Sequence, residues 1–240
     1  GAHIAAITNL PAVSDFRILD TALGGQGAPL VPIGDELLFS DYDYCLNLGG
    51  YSNISFRSND RRIAFDICPV NKAVNHFMQK MGKEFDKDGA IGRNGEVITD
   101  LLSKLDTIEF YSQQPPKSLG DDWLNNTFFK VFDAYTNQTL ADLLRTTYEH
   151  IAQQIALATQ HTSKKKILTT GGGAHNDFLI ERIQANTNNR VIIPENKIID
   201  FKEALIFAFM GVLRFENQVN CLSSVTGAQK DNTGGTIFYG

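Results

Sequence analysis

Apolar and polar positions along the chain sort it into strands and helices by their spacing. From 43 to 66, three short runs (44–48, 53–57 and 62–66) are separated by turn residues at hairpin distance, which predicts an antiparallel meander. Helical spacing follows over 70–82, where Val70, Val74, Phe77, Met78 and Met81 share a face, and again over 95–105. Over 138–160 the residues Leu140, Leu144, Tyr148, Ile151, Ile155 and Ala158 recur at intervals of three and four, predicting a helix that buries one stripe. A strand at 166–170, a helix at 176–185, a strand at 190–193 and an apolar helix at 202–215 complete an order typical of an α/β layer. Residues 1–8 read as the middle of a helix, and Ala12-Val13 enters a strand after Pro11. A domain opening there predicts that part of the fold lies upstream of residue 1. The glycine and proline cluster at 20–29 predicts irregular chain.

Two predicted strands run out into glycine, at Asn47-Leu48-Gly49-Gly50 and at Thr170-Gly171-Gly172-Gly173, and a lone acid, Asp66, closes the third run of the meander. Glycine lets backbone approach a ligand closely. The first turn adds Ser52 and Asn53, a set of donors suited to phosphate, although a tight hairpin explains the same Gly-Gly pair. Asp66, at the mouth of its strand, fits either a general base or a helix N-cap. Asn176, behind the triple glycine, either bonds a ligand or caps the helix it begins. Neither turn is a Walker loop or a GxGxxG fingerprint, because no Lys-Ser/Thr follows and the glycine spacing differs. Glu203 sits at the start of the apolar 202–215 helix, where the dipole favours an acid and a ligand role is the alternative. Arg17 serves a surface ion pair or an anionic ligand.

With 240 residues, 42% of them hydrophobic, the chain can bury the core of one large or two small domains. A net charge of −5 argues against nucleic acid and anionic membrane as main partners, and the one basic run, Lys164-Lys165-Lys166, reads as a solvated approach to a strand. Cys45, Cys68 and Cys221 are odd in number, far apart and without metal-ligand spacing, which fits a reducing compartment. No apolar stretch approaches the roughly 20 residues of a membrane span, and the first residues lack a signal peptide's pattern. A cytoplasmic location is expected. His3, His76, His150, His161 and His175 show no HxH or HExxH grouping, so no metal site is expected.

The order of motifs narrows the reading further. Asp15-Phe16-Arg17, Gly24-Gly25-Gln26-Gly27-Ala28-Pro29-Leu30-Val31-Pro32, Asn47-Leu48-Gly49-Gly50 with Asn53, Phe65-Asp66, Asp86-Lys87-Asp88-Gly89, Pro116-Lys117-Ser118, the stretch 171–176, Lys202-Glu203-Ala204 and Val225-Thr226-Gly227-Ala228 together resemble the anhydro-N-acetylmuramic acid kinase family. The resemblance runs nearly the whole chain. It implies an α/β, ribonuclease H-like lobe of the actin-like ATPase type, with a mixed sheet flanked by helices. Residues 39–240 would form this second lobe and 1–38 the remnant of the first. The implied activity is opening of the 1,6-anhydro ring of anhydro-N-acetylmuramic acid by water, coupled to transfer of the γ-phosphate of ATP to O6, in cell-wall recycling. ATP with Mg²⁺ and the anhydrosugar are the implied ligands, and a homodimer is what the family suggests. A carbamoyl-transferring metalloenzyme of the same superfamily would want clustered histidines, which the chain lacks.

By the same resemblance Asp66 matches the catalytic acid, the base toward the attacking water. Arg17 and Glu203 match positions around the sugar, where the lactyl carboxylate suits a buried Arg. Gly49, Gly50 and Asn53 would face the phosphates, and Gly171, Gly172, Gly173 and Asn176 the adenosine side. Two departures stand out. Nothing matches the Gly-Thr-Ser-x-Asp-Gly phosphate loop with which the family begins. Where the family reads Gly-Phe-Asp-Thr-Gly-Pro-Gly-Asn with an Asp four residues on, this chain reads Ala64-Phe65-Asp66-Ile67-Cys68-Pro69-Val70-Asn71 with Asn75. The bulk of Ile67, Cys68 and Val70 beside the base makes a catalytically weak sugar- or nucleotide-binding homologue the alternative expectation.

Overall fold

The computed structural model describes residues 1–160 and 164–240; His161 lies outside the described residues. Strands are β1 (Ala12–Ser14), β2 (Tyr44–Leu48), β3 (Tyr51–Ser58), β4 (Arg61–Pro69), β5 (Lys166–Thr170), β6 (Arg190–Ile192) and β7 (Thr236–Phe238). Five of them make one sheet in the order β4-β3-β2-β5-β6. β2 pairs parallel with β5, and β5 with β6. The connections Gly49-Gly50 and Asn59-Asp60 are too short for anything but antiparallel return. Asn59 and Asp60, at φ 49° and 60°, supply the left-handed pair that a type I′ hairpin needs. The predicted meander therefore forms, joins a parallel half, and yields the mixed sheet of a ribonuclease H-like fold. β3 and β4 are both longer than their apolar runs suggest: the strands also take in Tyr51, Ser52 and Ser58 on β3, and Arg61 and residues 67–69 on β4.

By contacts the chain divides into two compact units: residues 1–41, 55–64 and 201–240, and residues 42–54 and 65–200. In the second unit, β2 is buried at Tyr44, Cys45, Leu46 and Leu48, the continuous apolar reading of a strand covered on both faces. The covering layer is built on the Leu140–Ala158 helix, whose Leu144, Tyr148, Ile151 and Ile155 are fully buried. Thr139 caps it, its Oγ1 accepting from the Asp142 N–H at 3.2 Å. The Asn71–Gln79, Ala90–Arg93, Thr99–Asp106 and Asp177–Asn186 helices pack against it. Residues 109–135 form short helical turns that no periodicity announces, held by a cluster of rings including Phe110, Trp123 and Phe128.

In the first unit, β1 pairs antiparallel with β7, joining the two ends of the chain. Its core collects Leu30, Ile33, Ile206, Met210, Leu213 and Cys221. Ile206, Met210 and Leu213 fall on one stripe of the Asn196–Phe215 helix, which begins six residues earlier than the apolar run implied. Asp20, fully buried, lies in a short Ile18–Ala22 helix, so the irregular chain expected from residue 20 begins only after Ala22, and Asp20 ties that segment to the C-terminal one. Its Oδ1 accepts from Cys221 Sγ at 3.1 Å, Thr226 Oγ1 at 2.7 Å and Asn232 Nδ2 at 3.1 Å, and its Oδ2 from the Gly27 N–H at 2.8 Å. Burial opposes ionisation there, but these four bonds together hold the Asp20 carboxyl below its ordinary value.

Candidate active site

Parallel pairing of β2 with β5, with Asn47 opposite Thr170, brings the two glycine turns to the same end of adjacent strands. They touch. A Cβ on Gly171 would lie 2.5 Å from Asn47 Oδ1 and 2.9 Å from the Leu48 carbonyl, so only glycine, here at φ 82°, lets the second turn close against the first. Asn71 bridges them: its Nδ2 donates to the Leu48 carbonyl at 3.2 Å, and its side chain borders Gly172 and Gly173. The first turn in turn holds the Asn71–Gln79 helix, with the Gly49 carbonyl accepting from Asn71 N–H at 3.1 Å and the Gly50 carbonyl from Val70 and Lys72 N–H at 2.9 and 3.2 Å. Asn71 was not among the expected site residues, although it stands in the motif after Asp66; its part depends on a chain crossing that sequence spacing does not carry.

Beside Gly50 opens a cleft of about 390 Å³ bordered by Asn71, Lys72, Asn75, His76 and Asp121. The Lys72 stem lies across Gly50, and its ammonium pairs with Asp121 and sits 4.9 Å from the Tyr51 ring centre. Tyr51 Oη donates to Asp121 Oδ1 at 2.7 Å. A larger cleft of about 580 Å³ lies between His76, Phe129 and Tyr135, and none of the expected site residues borders it.

Asp66 lies in the second half of β4 and is partly buried. Its Oδ2 accepts from the Leu119 N–H at 2.8 Å, while its own backbone N–H donates to the Lys117 carbonyl at 3.1 Å, so the 117–119 loop holds both the main chain and one carboxylate oxygen of Asp66. Burial raises the Asp66 carboxyl above the ordinary aspartate value, and the Leu119 bond only partly offsets it. Asp66 caps no helix in these contacts; the Asn71–Gln79 helix has no side-chain cap. Ile67, Cys68 and Val70 are buried in the core.

Other expected residues take different parts. Ser52, expected to face a ligand, is fully buried and its Oγ donates to the Cys68 carbonyl at 3.1 Å, because alternation along β3 turns it inward. Asn53, its neighbour, is exposed. Asn176 is a helix cap: Oδ1 accepts from Leu179 N–H at 3.0 Å and Nδ2 donates to Tyr148 Oη at 2.9 Å. In the first unit, Arg17 is exposed where a buried Arg was expected, and it donates to the Gly27 carbonyl at 2.5 Å rather than to an acid. Glu203 is exposed near the middle of the Asn196–Phe215 helix. The dipole acts within the first turn, so it does not account for this acid. Among the described residues no three His, Cys, Asp or Glu side chains group as metal ligands.

A ribonuclease H-like sheet, with glycine turns meeting at one end of its central strands and a cleft beside the first, defines the class of α/β protein to which the chain belongs. A family model, described as anhydro-N-acetylmuramic acid kinase, matches residues 1–240. The chain belongs to that family, and so to the phosphotransferases. Similar curated relatives carrying the same name come from Aliivibrio fischeri, 36% identical over 98% of this chain and 67% of its own length, and from Mannheimia succiniciproducens, 35% identical over 98% and 68%. The chain thus spans about two thirds of their length. Among solved structures, an activator of 2-hydroxyisocaproyl-CoA dehydratase from Clostridium difficile with bound ADPNP is 13% identical at TM-score 0.46, covering 73% of this chain and 61% of its own. Component A of the Acidaminococcus fermentans (R)-2-hydroxyglutaryl-CoA dehydratase is 12% identical at TM-score 0.47, covering 73% and 63%.

Proposed function

We propose that the chain is an ATP-dependent anhydrosugar kinase, converting 1,6-anhydro-N-acetylmuramic acid to N-acetylmuramic acid 6-phosphate in cytoplasmic recycling of the cell wall. The observation that carries the reading is Asp66. Its carboxylate is held by a backbone N–H, and burial raises its proton affinity, which suits a general base. Asp66 takes a proton from water as the oxygen bonds to C1. The C1–O6 bond breaks, O6 bonds to the γ-phosphorus, and ADP departs, so one water and one ATP are consumed per sugar.

The glycine turns supply the nucleotide end, with Gly49, Gly50 and Asn53 toward the phosphates and Gly171, Gly172 and Gly173 along the adenosine, where a Cβ on Gly171 or Gly173 would collide with Leu48. Asn176, occupied as a cap, contributes by fixing the second turn and turning its remaining amide hydrogen to the nucleoside. Mg²⁺ would be held mainly by the phosphates of ATP, needing few protein ligands, and would neutralise charge on the transferred phosphoryl group. Arg17 and Glu203 receive the sugar, Arg17 with guanidinium donors to spare for a carboxylate. Residues 39–240 derive from the second lobe and 1–38 from the first, and the active protein is a homodimer.

The test is incubation with Mg-ATP and the anhydrosugar in H₂¹⁸O, followed by mass spectrometry. The expected product is a sugar 6-phosphate carrying one ¹⁸O on carbon. A phosphorylated sugar without the label, or no phosphorylated sugar, contradicts the reading.

A further inference from the structure

We propose that Lys72 is a phosphate-binding residue of the nucleotide site, held by Asp121 until a nucleotide arrives and then handed from that carboxylate to a phosphate oxygen. The inference rests on the nucleotide reading above. Four observations carry it. The Lys72 stem lies along Gly50, 3.1–3.4 Å from where a Cβ would stand and so closer than ordinary van der Waals contact, which delivers the ammonium over the glycine turn. The head borders the cleft beside that turn, and of the residues bordering it Lys72 alone is a Lys or Arg. His76, which shares the cleft, is held toward its neutral form, first by burial and then by Lys80. The cleft's positive charge therefore resides on Lys72.

The present partner is easily left. Asp121 is 66% exposed and the Lys72 side chain 39% exposed, so their pair is a solvated one of small net worth. Asp121 also accepts from Tyr51 Oη, and this bond remains to it when Lys72 departs. A phosphate group offers more charge and more acceptors than one carboxylate. Asp121 thus serves as a stand-in anion: it keeps the lysine ordered over Gly50 and competes with the ligand at the same time.

The test is calorimetric titration of the full chain and two variants with Mg-ATP and with adenosine, which lacks phosphate. Lys72→Met is expected to weaken Mg-ATP roughly tenfold or more, as befits a lost charge-assisted contact, and to leave adenosine unchanged. Asp121→Asn, which removes the competitor, is expected to tighten Mg-ATP about threefold. Equal loss for both ligands in Lys72→Met would mark a structural role and overturn the proposal. So would Mg-ATP binding unaltered by Lys72→Met, or weakened by Asp121→Asn. Lys72→Arg, which keeps the cation, should hold affinity within a few fold, and loss of Mg-ATP binding in that variant too would overturn it. Failure of the unaltered chain to bind Mg-ATP would overturn the nucleotide reading, and this inference with it.

Discussion

Replacing Gly171 with alanine tests how closely the two glycine turns are fitted. The new Cβ would stand 2.5 Å from Asn47 Oδ1 and 2.9 Å from the carbon and oxygen of the Leu48 carbonyl. Two of these atoms are backbone of a central strand and cannot swing aside. At φ 82° and ψ 166° the residue also occupies territory essentially reserved for glycine, worth about 1–3 kcal/mol of strain. Forcing strands apart in a packed interior adds about 1–3 kcal/mol, for a total near 2–6 kcal/mol. Gly172 is the matched control. Its Cβ would meet nothing nearer than Asn71 Nδ2 at 3.4 Å, and its φ is not in the left-handed region. There alanine should be neutral or stabilising by up to about 1 kcal/mol through the unfolded state. Trp123 is the sole tryptophan and lies in the same unit, packed 5.2 Å from Phe110, so its fluorescence follows the unfolding that matters. In urea, where slopes run at about 1–3 kcal/mol per molar, Gly171→Ala should move the midpoint down by roughly 1 M or more, and Gly172→Ala should not. Equal midpoints for the two variants would refute the close apposition.

Two further outcomes follow from titration and hydrogen bonding. If Asp66 is the base, turnover requires its ionised form, so the acid limb of the kcat/KM profile should fall at a pH above the ordinary aspartate value; a limb at or below that value would separate Asp66 from proton transfer. The same shift has an opposite sign for stability: the folded chain binds the proton more tightly than the unfolded one, so this group's contribution improves as pH falls through its raised pKa. Asp20 behaves in the reverse way, stabilising the first unit above the ordinary aspartate range and losing that contribution as pH drops below it. Asp20→Asn sets an amide N–H₂ against at least one of four donors, at a cost of about 2–3 kcal/mol. Hydrogen exchange of the Gly27 amide and of peptides spanning 220–232 should accelerate, and unchanged protection would discount the knot.

Much of the fold was legible because it is locally coded. The Leu140–Ala158 helix repeats its apolar stripe through five turns and begins at a capping Thr, and β2 reads as a buried run ended by glycine. What escaped depends on partners distant in the chain. β7 exists because β1 lies opposite it, with Ala12 paired to Phe238. The turns at 109–135 are held by ring packing rather than by spacing. The same limit applied to the site. Gly49, Gly50 and the triple glycine announced themselves, but their meeting is a consequence of parallel pairing, and Asn71 and Lys72 acquire their places only when that pairing sets the helix against the first turn. Asn176 reads two ways because a cap and a ligand contact both use its amide; the cap is made, with Oδ1 accepting from the Leu179 N–H. Ser52 was misread because one position's shift along a strand reverses the face.

Phosphorus NMR of the chain with Mg-ATP and 1,6-anhydro-N-acetylmuramic acid, run beside Asp66→Asn, tests the central claim most directly. The account predicts a growing phosphomonoester signal from the sugar together with ADP, and neither from the variant, whose nucleotide affinity should be retained. Equal product from Asp66→Asn, or no product from the unaltered chain, would contradict it.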